Sequence, residues 1–478
     1  MKSAFLKNTF WAFFGQFGYM FLGLLGNIIL ARLLSPDDFG QLGILMFFVL
    51  ISNVLVESGF SGALIRKHDV DKDDYSTIFI FNLVISVLLY IILGLSADSI
   101  SIFYNSPSLS LMIYIIGLVL IFNSFQITQN ARLVKEMRFK ERSIYKFISL
   151  FLATILSIYL AYKGFGIWSL IALQVLSSLF FTIILFFKVE NAFHFKFSKN
   201  SFKEMYAFGL NTTLASVINT AFENSYQLIL GKYFSLNLVG IYYQAKKLQD
   251  VPDTLYKNVI LNVFYSQLSR YQGDINLFKK KYLEITVYST VLIGLSTLLV
   301  LSFSSELIGL IYGEKWIESA FFLQLLAVAS FFYLIEILNR NIFKIFNETK
   351  RILILEIIKK IIQSVTIFIG IYYNSIEYLI VGYVITSFIS LIMNYYFSSK
   401  ILNGIDPREL KVIFIILVLI CLLYFSVYMI NNVLGMNYLI LSLEMIFIVL
   451  FYTLIIFKSK IICLDDLKKT LKGNKDGK

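Results

Sequence analysis

ILARLLSPDDFG (Ile29–Gly40) is answered 200 positions later by ILGKYFSLNLVG (Ile229–Gly240). Four of the twelve positions are identical, and the basic Arg32 is matched by Lys232. A second echo sets SADSISIFYN (Ser96–Asn105) against SSELIGLIYG (Ser304–Gly313), now offset by 208. The apolar segments around both echoes recur in the same order and spacing. An internal repeat in a chain this apolar points to a transporter with two similar halves around a central site.

Composition sets the environment. Hydrophobic residues make up 58% of the chain and charged ones only 15%, with a mean hydropathy of +0.76. A soluble globule of this length does not carry so apolar a sequence, and 47 Phe with 30 Tyr suit lipid-facing and interfacial surface. A membrane crossing needs about 20 apolar residues. About 14 runs qualify, at 8–31, 40–62, 77–97, 109–130, 144–162, 166–187, 206–230, 238–264, 283–303, 319–342, 352–373, 378–397, 411–431 and 438–457. The fold class expected is an all-α integral membrane protein.

Charge then orients the spans. With a cytoplasmic N-terminus, thirty-three of the 42 Lys and Arg fall on the inner side or in the tail. Only Arg32, Lys163, Lys232 and Lys315 fall outside, and Lys246, Lys247, Lys257, Lys359 and Lys360 lie within spans. That asymmetry follows the positive-inside rule and puts both termini in the cytoplasm. It also accounts for the net charge of +12 without a nucleic-acid partner. The first apolar run is a full span bearing Gly15, Gly18, Gly23 and Gly26, a stripe suited to close helix contact, and it lacks a cleavable signal pattern.

Spans 1–6 and 7–12 form the repeats. Six is even, so both begin on the cytoplasmic side and the repeat is parallel. The expected organisation is an N-terminal lobe (1–204), a C-terminal lobe (205–400), an appended helix pair (401–460) and a cytoplasmic tail (461–478). Between spans 1 and 2, Ser35 is a helix cap, Pro36 a first-turn residue, and Asp37 and Asp38 suit a helix N-terminus.

Span 8 reads YYQAKKLQDVPDTLYKNV, with five charges grouped around Pro252. Lys246 and Asp250, and Asp253 and Lys257, are each four apart and so share a helix face. Pro252 removes one backbone hydrogen bond and softens the helix. Charges this dense at membrane depth call for a solvated cavity wall or for internal ion pairs. Further intramembrane charges are Glu57, Glu223, Glu336, Glu356, Lys359, Lys360 and Glu444. Under the 200-residue offset, Met46 and Phe47 occupy the places of Lys246 and Lys247, so a basic site falls mainly to the second half.

No catalytic or metal signature is present. His68 and His194 lie in loops far apart, Cys421 and Cys463 imply no disulfide, and DVDKDD (Asp69–Asp74) lacks the glycine and terminal glutamate of a calcium loop. Without a phosphate-binding loop, transport draws on gradients or substrate flow, and no cofactor is expected.

Several segments together resemble the polysaccharide transporter family of the multidrug, oligosaccharidyl-lipid and polysaccharide flippase superfamily. They are LARLLSPDDFGQLG (Leu30–Gly43), ESGFSGALIRK (Glu57–Lys67), DDYSTIFIFNL (Asp73–Leu83), QNARLVKEMRFK (Gln129–Lys140), GFGIWSLIALQV (Gly164–Val175) and LGKYFSLNLVGIYYQAKKL (Leu230–Leu248). The resemblance runs from the N-terminus to about residue 400, the last two spans matching by hydropathy only. It implies a two-lobed bundle working by alternating access in a bacterial plasma membrane. The implied substrate is a polyprenyl-pyrophosphate-linked oligosaccharide, with membrane lipids and other glycan-assembly membrane proteins as partners. Lys246, Lys247, Lys257, Arg32 and Lys359 then become the substrate-binding cations, and Glu57, Asp250 and Asp253 the acids for proton or sodium coupling. Two rivals make different demands. A multidrug cation antiporter favours an acidic cavity, whereas span 8 carries three lysines against two aspartates; a membrane glycan polymerase or ligase needs large outer loops, and those here are short.

Overall fold

Backbone amides and carbonyls find no water in hydrocarbon, so long apolar runs resolve into helices. The computed structural model describes residues 2–57, 60–67, 69–189, 196–404, 406–434 and 438–458, and among them there is no strand. His68, His194, Cys463 and the tail from Ile461 lie outside the described residues. The first half runs α1 (Lys2–Leu33), α2 (Pro36–Glu57), α3 (Phe60–Arg66), α4 (Lys72–Phe103), α5 (Ser108–Lys135), α6 (Phe139–Tyr162) and α7 (Ile167–Lys188). The second runs α8 (Lys199–Tyr233), α9 (Leu236–Leu268), α10 (Ile275–Ile311), α11 (Ser319–Ile345), α12 (Thr349–Tyr372) and α13 (Ile376–Ile401), followed by α14 (Arg408–Leu434) and α15 (Tyr438–Lys458).

Among the described residues, ten helices are long and apolar enough to cross a membrane. Helices α8, α9, α12 and α15 have 35, 33, 24 and 21 residues. At about 1.5 Å of rise per residue each reaches at least about 30 Å. The chain is an all-α, multi-pass membrane protein.

The echoes mark helix junctions. The first separates α1 from α2 and α8 from α9, with Ser35 and Ser235 as caps. The Asp38 amide donates to Ser35 Oγ at 3.3 Å and the Leu238 amide to Ser235 Oγ at 3.2 Å. Asp38 also accepts from the Ser35 amide at 2.9 Å, a reciprocal capping box. The second echo ends α4 and α10, and each chain then reverses through a left-handed residue, Asn105 (φ 52°) and Gly313 (φ 99°). Asparagine and glycine are the residues that take this conformation most readily.

Two compact units are present. Unit 1 comprises Met1–Tyr243 with Ile311–Lys315, and unit 2 comprises Gln244–Leu310 with Trp316–Lys478. In unit 1, α4 packs on α5, α6 on α7 and α2 on α8. Helix α1 lies along α6, where Gly15 faces Ser143 and Gly26 faces Thr154 so closely that a Cβ would collide. The glycine stripe is therefore a close-packing surface.

In unit 2, α11 and α12 both pack on α13. Helices α14 and α15 contribute Ile416, Ile448 and Tyr452 to a core shared with Ile293, Phe331 and Ile335. A buried polar knot pins the start of α14. The Tyr282 hydroxyl lies 2.9 Å from the Glu409 carboxylate, and Asn339 donates to that carboxylate at 3.2 Å. Ser398 donates to Asn339 at 2.9 Å, so α10, α11, α13 and α14 are joined through one network.

Candidate functional site

A charge at the bilayer centre costs at least about 2.5–3.5 kcal/mol, so partners disclose function. In unit 2 four charged side chains on α11 and α12 form a neutral quartet. Glu336 is 0% exposed; Lys359 Nζ lies 3.2 Å from its Oε2 and Arg340 Nε 3.7 Å from its Oε1. Arg340 also pairs through Nη1 with Glu356. Glu336 and Arg340 are one turn apart on α11, and Glu356 and Lys359 one turn apart on α12, so both helices present their charges to each other. Mutual neutralisation makes this burial tolerable.

Two sequence-predicted cations meet at Tyr333, Lys359 from within the quartet and Lys257 from α9. Lys359 Nζ sits 5.2 Å from the centroid of the Tyr333 ring and Lys257 Nζ 4.7 Å from the same centroid. A tyrosine flanked by two ammonium groups offers positive charge to a phosphate and an amphipathic ring beside it. About three turns earlier on α9, Lys246 is half-buried and Lys247 exposed, as is Asp250.

Asp253 is drawn inward instead. Its carboxylate accepts from the Ser330 hydroxyl and, at 2.9 Å, from the Gln249 amide. It lines a cavity of about 10 Å³ with Gln249, Pro252, Tyr256, Ser296 and Thr297, room for about one water. Pro252 supplies no amide proton to the Leu248 carbonyl, yet α9 continues unbroken through it. Beside the electrostatic reach of Lys257 to Asp253 along α9, both make contacts across helices: Asp253 with Ser330 and Lys257 with Tyr333, on α11.

Arg32 and Glu57 belong to unit 1, and the lysines with Asp250 and Asp253 to unit 2. Arg32 is exposed at the end of α1, its Nε donating to the Ile311 carbonyl at 3.1 Å. Glu57 ends α2 and accepts from the Ser61 hydroxyl at 3.2 Å. Arg142 and Lys146 on α6 lie within electrostatic range of Glu57. Arg142 Nε donates to Asn130 at 2.7 Å, and Lys146 sits 5.8 Å from the Phe181 ring.

Arg142, Lys146 and Arg340 escaped the sequence reading because positive-inside counting assigns them to inner connections. Helix α6 begins at Phe139 and α11 continues to Ile345, so all three are helical and half-buried. The signal available was spacing: Arg142 and Lys146, like Glu336 and Arg340, are four apart. Unit 1 therefore has its own basic pair, at a place the 200-residue offset does not reveal.

The loop acids have structural tasks. Asp71 caps α4 and accepts from the Asp74 amide at 2.7 Å, while Asp73 pairs with Lys196 at 2.6 Å. Burial pulls the Lys67 ammonium down, but Asp74 and Glu204, 2.9 and 3.0 Å away, more than offset it and hold its pKa above the ordinary value.

Membrane-length helices carrying charges that are neutralised inside the bundle define a multi-pass membrane protein. The chain belongs to the polysaccharide biosynthesis protein family, whose pattern matches residues 29–321. It is 22% identical over 323 residues to the succinoglycan biosynthesis transport protein ExoT of Rhizobium meliloti, covering 68% of this chain and 65% of that protein. It is 23% identical to the teichuronic acid biosynthesis protein TuaB of Bacillus subtilis, over 58% of each chain. It is 22% identical to the lipopolysaccharide biosynthesis protein WzxC of Escherichia coli, over 64% of this chain and 63% of that one. The chain thus spans less than two thirds of the length of these three relatives. Its fold is similar to that of a solved structure of the lipid II flippase MurJ (inward closed conformation), with a TM-score of 0.75 at 15% identity over 94% of this chain and 99% of that one. A multidrug resistance MATE family transporter in an inward-facing conformation gives a TM-score of 0.58 at 18% identity, over 80% and 94%.

Proposed function

We propose that this protein is a flippase that moves a polyprenyl-pyrophosphate-linked oligosaccharide from the inner to the outer leaflet of a bacterial plasma membrane by alternating access. It serves cell-surface polysaccharide assembly as a transporter and not as an enzyme, with both termini cytoplasmic. The two sequence repeats, 1–204 and 205–400, act as the moving lobes, and the pair within 401–460 is appended to the second. Its chemical partners are the lipid-linked glycan and bilayer lipids, alongside other glycan-assembly membrane proteins.

The observation that carries this reading is the convergence of Lys257 and Lys359 on Tyr333. A pyrophosphate crossing hydrocarbon needs cations at membrane depth, and these two, with Lys246 and Lys247 on the same helix as Lys257, supply them. Arg32 stands at the outer end of α1. Asp253, enclosed in its water-sized cavity, is the leading acid for proton or sodium coupling; Asp250 and Glu57 are the others.

The test is genetic and chemical. Deleting the gene strands lipid-linked oligosaccharide on the inner leaflet. Lys257→Gln, outside the buried quartet, lowers export at least about tenfold, equivalent to about 1.4 kcal/mol, with the protein still in the membrane. Undiminished export by that variant removes Lys257 from the substrate path. Absence of stranded glycan in the deletion strain removes the substrate class.

A further inference from the structure

The two sequence echoes meet in the folded chain. Arg32 closes α1, and its Nε donates to the carbonyl of Ile311, the last residue of α10, at 3.1 Å. Lys232 holds the matching place near the end of α8. Its Nζ donates to the carbonyl of Phe103, the last residue of α4, at 2.7 Å and sits 4.0 Å from the centroid of that ring. The offset of 200 relates Arg32 to Lys232, and the offset of 208 relates Phe103 to Ile311. Each repeat thus sends its cation onto a helix end of the other. The last carbonyls of a helix lack intrahelical donors and carry the negative end of its dipole, so a cation is the complementary cap.

Two further contacts join the same place. Lys315 Nζ donates to the Arg32 carbonyl at 3.0 Å and to the Leu34 carbonyl, capping α1 itself. Helices α2 and α9 cross at Gly40 and Gly240, the identical last position of the first echo. A Cβ on Gly40 would overlap the Leu236 carbonyl, and one on Gly240 the Pro36 carbonyl, so the crossing is reciprocal as well. All of these residues fall within unit 1, which takes in Ile311–Lys315.

We propose that the reciprocal caps Arg32–Ile311 and Lys232–Phe103, with the Gly40–Gly240 crossing between them, form a two-fold latch that holds the outer ends of the two repeats together. The proposal rests on the alternating-access reading above, and the side named outer rests on the Lys and Arg asymmetry. Release of substrate on that side requires both cations to let go of their helix ends and α2 to part from α9. Cation-to-carbonyl bonds suit such a contact, because both groups find water as soon as they separate. The repeat explains the symmetry: one junction, duplicated, yields two identical halves of a closure.

Accessibility measures the latch directly. In the full-length chain with Cys421→Ser and Cys463→Ser, a reporter Tyr243→Cys is placed one turn below Gly240, where the Tyr243 ring lies 6.3 Å from Phe39 of α2. Labelling by a membrane-impermeant maleimide applied from outside is slow in this parent. Arg32→Ala with Lys232→Ala raises the rate about tenfold or more, whereas Arg32→Lys with Lys232→Arg preserves both caps and stays at the parent rate. Gly240→Ala, which wedges the crossing, also raises it. An unchanged rate in the double alanine variant overturns the latch, and so does a double conservative variant that labels as fast as the double alanine. If the double alanine variant does not reach the membrane, Lys232→Ala alone carries the test, with about a threefold rise expected and no rise overturning it. Labelling needs no glycan, so failure of the substrate assignment and failure of the latch are separately visible.

Discussion

Replacing Arg340 with methionine removes a side chain that forms ion pairs with both Glu336 and Glu356. Glu336, Arg340, Glu356 and Lys359 sum to zero with Arg340 present; without it Glu356 loses its ion-pair partner and keeps only the more distant field of Lys359 and Lys360, beside a Glu336 carboxylate that is 0% exposed. Breaking a buried pair from one side costs about 3–5 kcal/mol. A Coulomb estimate agrees: two unit charges about 4 Å apart at an effective dielectric of about 20 interact by about 4 kcal/mol. Adding Glu356→Gln restores neutrality and leaves Glu336 with Lys359, so the double variant regains about 2–3 kcal/mol of that loss. The assay is the apparent melting temperature in detergent at one fixed scan rate, since unfolding of such a chain is often irreversible. At about 2–4 °C per kcal/mol for a unit of this size, Arg340→Met falls by roughly 6–20 °C and the double variant recovers more than half of it. A double variant no more stable than Arg340→Met would refute the neutral-quartet account.

Three further outcomes follow from particular contacts. Asp253→Asn keeps a side chain of the same shape beside Ser330 and Gln249 but cannot titrate; export in membrane vesicles loses its response to an imposed proton or sodium gradient, and a retained response excludes Asp253 from coupling. Gly294→Ala drives a Cβ into Ile416 and to 2.7 Å from the Tyr452 hydroxyl, costing about 1–3 kcal/mol and exposing α14 and α15 to protease; wild-type resistance would contradict their docking on α10. Burial pushes Glu136 up, but Arg132 and Arg138, 2.7 and 3.0 Å away, hold its pKa below the ordinary value. A depressed carboxylate stabilises above its unfolded pKa and loses that stabilisation as pH falls through the folded one. Glu136→Gln therefore lowers stability by a few tenths of a kcal/mol at neutral pH, this pair being partly exposed, and by nothing once the pH has fallen below the folded-state pKa; a deficit that persists in strong acid argues against the ion pairs.

The candidate site was legible in part. Span 8 announced itself because five charges in an apolar run have no neutral explanation, and Lys257 and Asp253 do hold specific partners. Those partners were not legible. Tyr333 and Ser330 look like ordinary residues of an apolar span, Glu336 stood out only as an unassigned charge, and only the packing of α9, α11 and α12 brings them to Lys257, Asp253 and Lys359. Arg142 and Lys146 were hidden for a different reason. Counting charges by side treats the first turns of a helix as loop, although a side chain there can turn into the bundle. In DVDKDD the capping of α4 by Asp71 and the pairing of Asp74 with Lys67 are local, three and seven residues apart, whereas the Asp73–Lys196 pair joins residues 123 apart and left no trace in the local sequence.

The sequence by itself determined the helices, the membrane and the places where the two echoes turn. These follow from apolar length and local capping chemistry, which act over a few residues. Only the tertiary structure decided which charge neutralises which, and that Arg32 and Lys232 each close on a helix end of the opposite repeat. Arg32 and Ile311 are 279 positions apart, and the sequence carries no local trace of their contact. Electrostatic partners at membrane depth are chosen by which helices lie side by side, and that choice is made by packing, not by spacing along the chain.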